Sequence, residues 1–351
     1  MTSAPAIHDQ MRAVVLHEPG DPSHLVMERV QRPVIGPHEA LVRVRAAGVC
    51  YHDVVVMKGI LRRGVKPDVI LGHEIAGEIA ELGDQVRGFA PGDRVVTILT
   101  DCCGACVRCL AGHEHRCLNG GGFGHDLDGG YAEYVRVGAQ ALVKLPAGIP
   151  FEQAAILGCP VGVAYEGIVQ RAKVQPGETV LVTGAGGGLG VHSIEVARLA
   201  GARVLAVTTS ASKVERLKEL GADEVILSPD LDFDKRVLEL TGGLGVDVVV
   251  DNVGGLVFKP VFKSLSTYGR LLFLGEVSGV EVKLNPALMI FKEPALLGSA
   301  GVSRKSLQEV VRLVSWGRLK PVAQLFRLED APRVHQMLLD RKLLGRAVLT
   351  P

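Results

Sequence analysis

From Met11 to Pro150 short apolar runs alternate with Gly and Pro: MRAVVLHEPG, EALVRVRAAGV, EIAGEIAELG, GDRVVTIL, YAEYVRV and ALVKLP. Their β-branched content and turn residues predict strands, and six such runs in succession predict an all-β, barrel-like module. From Phe151 the texture changes. Glu152 to Val169 and Gly187 to Ala200 carry helical apolar spacing, and strand-like TVLVTG, RVLAVTT, EVIL, VDVVVDNVG and RLLFLG are interleaved with the helical segments. Strand and helix in alternation predict an α/β doubly wound domain, a parallel sheet with helices on both faces. After Gly301 the pattern shifts again, with helix-like Lys305 to Trp316 and Ala331 to Asp340 and a final apolar strand, Arg346 to Leu349. The expected division is 1–160, 161–300 and 301–351, with the last part returning to the first domain. No short-period repeat or low-complexity tract is visible.

Composition narrows the class. A chain of 351 residues is too long for one ordinary core, and 47% hydrophobic with 22% charged content excludes disorder. Thirty-nine basic against 38 acidic residues leave a formal charge of +1, with no field to attract a polyanion, so nucleic acid is not an expected partner. No uncharged apolar run is long enough to cross a bilayer; Val246 to Val250 is strand-sized. The opening MTSAPAIHDQ lacks the basic start and apolar run of a secretory signal. A soluble cytoplasmic protein without a membrane partner is expected.

Five of the seven cysteines fall between Cys102 and Cys117. In DCCGACVRCLAGHEHRCL, Cys103, Cys106, Cys109 and Cys117 have the spacing of a closed tetrahedral zinc site, structural because it leaves no position for substrate. Buried or disulfide-bonded cysteines are the competing reading, disfavoured in a reducing compartment. Cys102 is the spare. Cys50 and Cys159 lie far from this lobe, with His73 between them in LGHEIAGEI. Together they would make an open, catalytic zinc site able to polarise a carbonyl or stabilise an alkoxide. Spacing does not prove that grouping, since each residue taken singly could be a core cysteine or a surface histidine.

In TVLVTGAGGGLGVHSIEVARLAGARVLAVTT a strand, a glycine turn, a helix and a second strand follow one another, the context of a dinucleotide fingerprint. The turn and first helical residues comprise Gly184, Ala185, Gly187, Gly188, Leu189 and Gly190. Gly187 would let the backbone approach a pyrophosphate, Gly190 would let helix pack on strand, and the helix N-terminus would offer N–H groups. The competing reading is a structural glycine turn. At the end of the second strand, where an acid would bind the ribose 2′-OH of NAD, stand Thr208, Thr209 and Ser210, followed by Lys213. Hydroxyls and a cation suit a 2′-phosphate, so NADP(H) is favoured over NAD(H). The alternative is that these residues only cap the next helix.

Cys50 in GVCYHD, His73-Glu74 in LGHE, the cysteine lobe, Cys159 in AAILGCPVGVAYEGI and the TGAGGGLG turn, in that order, resemble the zinc-dependent medium-chain dehydrogenase/reductase family of alcohol dehydrogenase type. The resemblance spans the chain. It implies a co-chaperonin-like β-barrel catalytic domain, a Rossmann domain inserted before its C-terminal part, and an active-site cleft between them. It also implies two zinc ions per chain, the catalytic one held by Cys50, His73 and Cys159 with Glu74 just behind, and Asp53 as the carboxylate orienting His73. Two departures stand out. His52 takes the relay hydroxyl position and Val55 that of a later relay histidine, so His52 is the candidate proton carrier, or else a pocket wall. Tyr51 stands where relatives often have a pyrophosphate-binding Arg or a His.

The resemblance implies reversible hydride transfer between a nicotinamide cofactor and a small alcohol or aldehyde. The tighter resemblance, to a microbial branch with CYRD or CYHD, leaves a second chemistry open: reduction of an enoyl thioester of the acryloyl-CoA kind, or of a quinone. A binding protein keeping only the nucleotide site would have no use for an open metal position. A homodimer or homotetramer is expected from the family and from the apolar stretch Glu293 to Ala300, where a sheet edge could pair across a two-fold axis.

Overall fold

The computed structural model describes residues 9–351. Most of the MTSAPAIHDQ opening, on which the reading of no secretory signal rests, lies outside the described residues. Among those described, no helix is long and apolar enough to cross a membrane. The chain divides into two compact units, one holding residues up to Cys159 together with Gly301–Trp316 and Ala323–Pro351, the other Pro160–Ala300 with Gly317–Val322.

The first unit begins with β1 (Gln10–Leu16), β2 (Leu25–Gln31), β3 (Glu39–Val49), β4 (Val69–Ile70), β5 (Glu74–Leu82), β6 (Arg94–Thr97), β7 (Tyr134–Gly138) and β8 (Leu142–Lys144). The six sequence runs became strands. β2 and β4 were not anticipated: LVMERVQ carries paired charges where alternation would place one, and β4 is two residues long. β2, β1 and β4 form a small antiparallel sheet, joined to the larger one through a bridge between Ala13 and Ala132. β3 is the centre of the larger sheet, pairing antiparallel with β5 and β7. Its run of Ala and Val is buried almost throughout, and Leu41, Ile75, Ile79, Ile98 and Leu142 fill the surrounding core.

The second unit carries β9 (Thr179–Val182), β10 (Arg203–Thr208), β11 (Glu224–Leu227), β12 (Val246–Asp251), β13 (Leu265–Phe273) and β14 (Ala295–Gly298). All five neighbouring pairs are parallel, in the order β11-β10-β9-β12-β13-β14. Strands buried on both faces read as unbroken apolar runs, as VDVVVD does, which is why the sequence reading found them. The order reverses direction beside β9, and in such sheets ligands bind beyond the carboxyl ends of the strands at that point. The helical stretch expected from Glu152 to Val169 is broken into short α, 3-10 and π segments, the last over Glu166–Arg171.

The chain then returns to the first unit as β15 (Ala323–Arg327) and β16 (Arg346–Thr350). β16 pairs antiparallel with β3, completing the order β15-β16-β3-β5-β6-β8.

Candidate functional site

β16, β3 and β5 lie side by side and set the first cluster. Gly48 on β3 is in register with Glu74 on one side and Val348 on the other. A Cβ at Gly48 would collide with the Glu74 carboxylate, so glycine leaves room for it. Cys50 follows β3 and caps the helix Tyr51–Met57, whose Asp53 accepts from the Cys50 N–H at 2.8 Å. His73 immediately precedes β5. One donor atom each from Cys50, His73, Glu74 and Cys159 lies within 4.8 Å of the others. The grouping that spacing could not establish is therefore a single cluster, with Glu74 inside it as a fourth donor.

The environment shapes these groups. The hydrogen bond with Cys159 lowers Cys50 well below its ordinary range, against burial and with help from Arg346 and His73. Burial works against a charged His73, but Asp53 and Cys50 raise it well above the usual imidazole value. Burial lifts Glu74 to about 7 although Arg346 pulls it down. Both buried Glu74 oxygens accept no hydrogen bond, and Asp53 Oδ1 and His73 Nδ1 meet at 3.2 Å outside good hydrogen-bond geometry. A buried carboxylate with no well-directed hydrogen bond and an ion-pair partner in Arg346, beside two thiols and an imidazole whose Nδ1 faces an acid, fits a thiophilic cation such as zinc.

Arg346 is one residue that sequence reasoning missed. Its Nη2 lies 3.2 Å from Glu74 Oε1 and donates to Cys159 Sγ at 3.7 Å, while Nη1 donates to Val49 O at 3.3 Å. A single cation inside the apolar final strand was the available signal, because charges are almost never buried unpaired. His52 stands beside the cluster, its ring 5.2 Å from that of His73 and 5.9 Å from that of His125. Burial, then His73, lowers its pKa and leaves a neutral imidazole at neutral pH.

The lobe gathers Cys103, Cys106, Cys109 and Cys117, all within 4.8 Å of one another. Sγ separations of 3.5 Å for Cys106–Cys109 and Cys103–Cys117, and 3.9 Å for Cys106–Cys117, bracket the roughly 3.8 Å edge of a tetrahedron with 2.3 Å zinc–sulfur bonds. Backbone N–H groups of Cys103 and Asn119 donate to Cys117 Sγ, and that of Cys106 to Cys103 Sγ, as thiolates require. Cys102 is outside the group, and burial lifts its thiol to about 12.

In the second unit the turn after β9 leads into the helix Gly188–Leu199, capped by Gly187. A Cβ at Gly190 would collide with Gly184 O and Ala185 Cα, so glycine there lets the helix close on the turn itself, where the sequence reading expected packing on the strand. Gly187 is different: exposed, with only Gly184 O at 3.4 Å from a would-be Cβ. Packing demands no glycine there, whereas an approaching pyrophosphate would. Leu189 is half-buried in the first helical turn. Thr208 is buried at the end of β10, with its Oγ1 accepting from Ser210 N at 3.2 Å; Thr209 is exposed. Ser210 caps the 3-10 turn Ala211–Lys213 without a side-chain cap hydrogen bond, which weakens the reading that these hydroxyls only cap a helix. The Lys213 stem lies against Gly186, where a Cβ would be 2.5 Å from Lys213 Cδ, so this cation lies across the glycine turn.

A β domain with two metal-donor clusters and a doubly wound domain with a dinucleotide turn define a zinc-type, nicotinamide-dependent oxidoreductase. Residues 36–147 match the alcohol dehydrogenase GroES-like domain and residues 188–316 the zinc-binding dehydrogenase domain. The chain belongs to the zinc-dependent medium-chain dehydrogenase/reductase family, and the co-chaperonin-like and Rossmann parts are those of that family. It is 35% and 36% identical to the acryloyl-coenzyme A reductases of Sulfurisphaera tokodaii and Metallosphaera sedula, over 97% of this chain and 100% of theirs. The NAD-dependent alcohol dehydrogenase of Saccharolobus solfataricus is 34% identical, again over 97% of this chain and 100% of the relative. The crystal structure of AibC superposes with a TM-score of 0.91 and 41% identity, covering 100% of this chain and 99% of that one.

Proposed function

We propose that this oxidoreductase reduces the C=C bond of a short enoyl thioester with NADPH, adding hydride at the β carbon and a proton at the α carbon. The reading is carried by the full-length similarity to two acryloyl-coenzyme A reductases. The donor set supports it: with Glu74 included, four protein groups can close around a metal with no position left for a substrate oxygen. Alcohol–aldehyde interconversion is the second reading. It is favoured by the alcohol dehydrogenase relative and by Cys50, His73 and Cys159, an open set once Glu74 stands aside.

When bound, the nicotinamide would supply the hydride, and a metal closed by four protein groups would hold the site together without contacting the substrate. In this reading Cys50, His73 and Cys159 would hold the zinc with Glu74 as the fourth donor, and Asp53 would orient His73. Cys103, Cys106, Cys109 and Cys117 hold a second, structural zinc. Gly184 to Gly190 and the helix N-terminus receive the pyrophosphate, while Thr208, Thr209, Ser210 and Lys213 receive the 2′-phosphate. His52, neutral and beside the cluster, carries the proton to or from the substrate.

Thiolate ligands in both clusters suit a reducing, cytoplasmic setting. β14 is the outer strand of its sheet, and Leu288, Ile290, Phe291 and Leu296 nearby are exposed, which supports pairing of two copies along that edge. The test of the reaction is steady-state turnover of acryloyl-CoA and of matched aldehydes and alcohols, with both nicotinamide cofactors. A kcat/KM for the thioester above that for every alcohol and aldehyde supports the reading; the reverse order overturns it.

A further inference from the structure

Behind His73 a line of buried groups runs away from the metal donors and ends at His335, on the helix Ala331–Leu339. Tyr131 and His335 are both fully buried. The Tyr131 hydroxyl donates to Asp53 Oδ2 at 3.1 Å and lies 3.3 Å from His335 Nε2, and the same Asp53 oxygen accepts the Cys50 N–H. The Tyr131 ring passes over Gly72, which has φ +94° and where a Cβ would collide with that ring, so the residue beside His73 is shaped to admit it.

Donor directions follow from counting protons. The hydroxyl has one, and a carboxylate is the stronger acceptor, so it points to Asp53. His335 must then donate its Nε2–H to the Tyr131 oxygen. Its Nδ1 is left as a lone pair, and that atom is buried without a hydrogen-bond partner. Leucine would fill similar space with no orphaned nitrogen, and phenylalanine at 131 would pack without a hydroxyl. The polar atoms are retained for what they hold in place.

We propose that Tyr131 and His335 are positioning residues of the metal centre: His335 fixes the Tyr131 hydroxyl, which with the Cys50 N–H fixes the Asp53 carboxylate behind His73. Asp53 then keeps His73 Nδ1 turned inward and Nε2 free for the metal. This rests on the reading that Cys50, His73, Glu74 and Cys159 bind zinc.

The test is zinc affinity measured by competition with a chelating indicator, together with the visible spectrum after cobalt(II) substitution. Wild type is compared with Tyr131→Phe, His335→Leu, His335→Gln and the Tyr131→Phe/His335→Leu pair. Tyr131→Phe is expected to weaken one zinc by about tenfold or more and to shift the cobalt bands, leaving the lobe zinc unchanged as an internal control of folding. His335→Leu should act in the same direction but less, His335→Gln should stay nearer wild type because its amide can still donate, and the pair should be no weaker than Tyr131→Phe alone. Two zinc ions bound with wild-type affinity and spectra in every variant would overturn the proposal alone. A wild type that binds zinc only at the lobe would overturn the metal reading and the proposal with it.

Discussion

Removing the Arg346 cation isolates the electrostatics of the cluster. In Arg346→Met the Glu74 carboxylate loses a guanidinium 3.2 Å away, inside a site where both side chains are almost wholly buried. Two unit charges at that distance attract by about 5 kcal/mol at an effective dielectric of 20, and breaking a buried pair from one side costs about 3–5 kcal/mol. The loss should depend on pH, with a sign that follows from Glu74. Burial, opposed by Arg346, raises its folded-state pKa from 4.5 to about 7. Between those values the folded protein holds a proton that the unfolded chain has released, so stability falls as pH rises, by about 3 kcal/mol across the window, and levels off above it. Without Arg346 the folded-state value climbs further and the falling limb extends past neutrality. The destabilisation of Arg346→Met relative to wild type should therefore be small near pH 6 and approach its full size near about pH 9. Adding Glu74→Gln should recover about 1–3 kcal/mol at the higher pH. Urea unfolding of chelator-treated protein at several pH values, for the full double-mutant cycle, supplies the numbers. A loss of equal size at both ends of the range, or a coupling energy near zero, would refute the pairing.

Other expectations concern groups elsewhere in the chain. Burial lowers His335 from 6.5 to about 4, against Asp53 and Cys50, so the unfolded chain takes up a proton first as pH falls through that window; the resulting loss of about 3 kcal/mol should be absent from His335→Leu, by urea midpoints against pH. Cys103→Ser should lower the thermal midpoint and remove one zinc by elemental analysis, whereas Cys159→Ala should keep the lobe zinc and lose turnover. Thr208→Asp should raise the Michaelis constant for NADPH by about one to two orders of magnitude, about 1.5–3 kcal/mol, and improve NADH, while Lys213→Ala weakens NADPH alone; unchanged cofactor ratios in steady-state kinetics would refute the phosphate reading.

Much of this architecture was legible because its signals are local. The apolar run of β12 and the glycine turn before the helix Gly188–Leu199 each lie within one short segment, and so do the four lobe cysteines. The metal donors were harder, since Cys50 and His73 meet only through the pairing of β3 with β5, and Cys159 joins them only because the 3-10 segment Ala155–Leu157 before it packs on both strands. Arg346 and Glu74 meet because β16 and β5 flank the same Gly48, a register that no pattern in either strand encodes. Tyr131 sits in a turn beside Gly129 and Gly130, and His335 faces inward from a helix whose apolar spacing gives no hint of a hydrogen bond to a tyrosine 204 positions away. β2 and β4 escaped notice because the charged pair Glu28-Arg29 and the two-residue length carry little strand periodicity.

The reaction itself is tested most directly by where hydride goes. The enzyme is supplied with acryloyl-CoA and NADPH deuterated at the transferable C4 position, and the thioester product is analysed by mass spectrometry and NMR. The expected product is a saturated thioester carrying one deuterium at its β carbon. Recovery of unreduced acryloyl-CoA from a preparation that turns over alcohols or aldehydes would contradict it and leave alcohol dehydrogenation as the function.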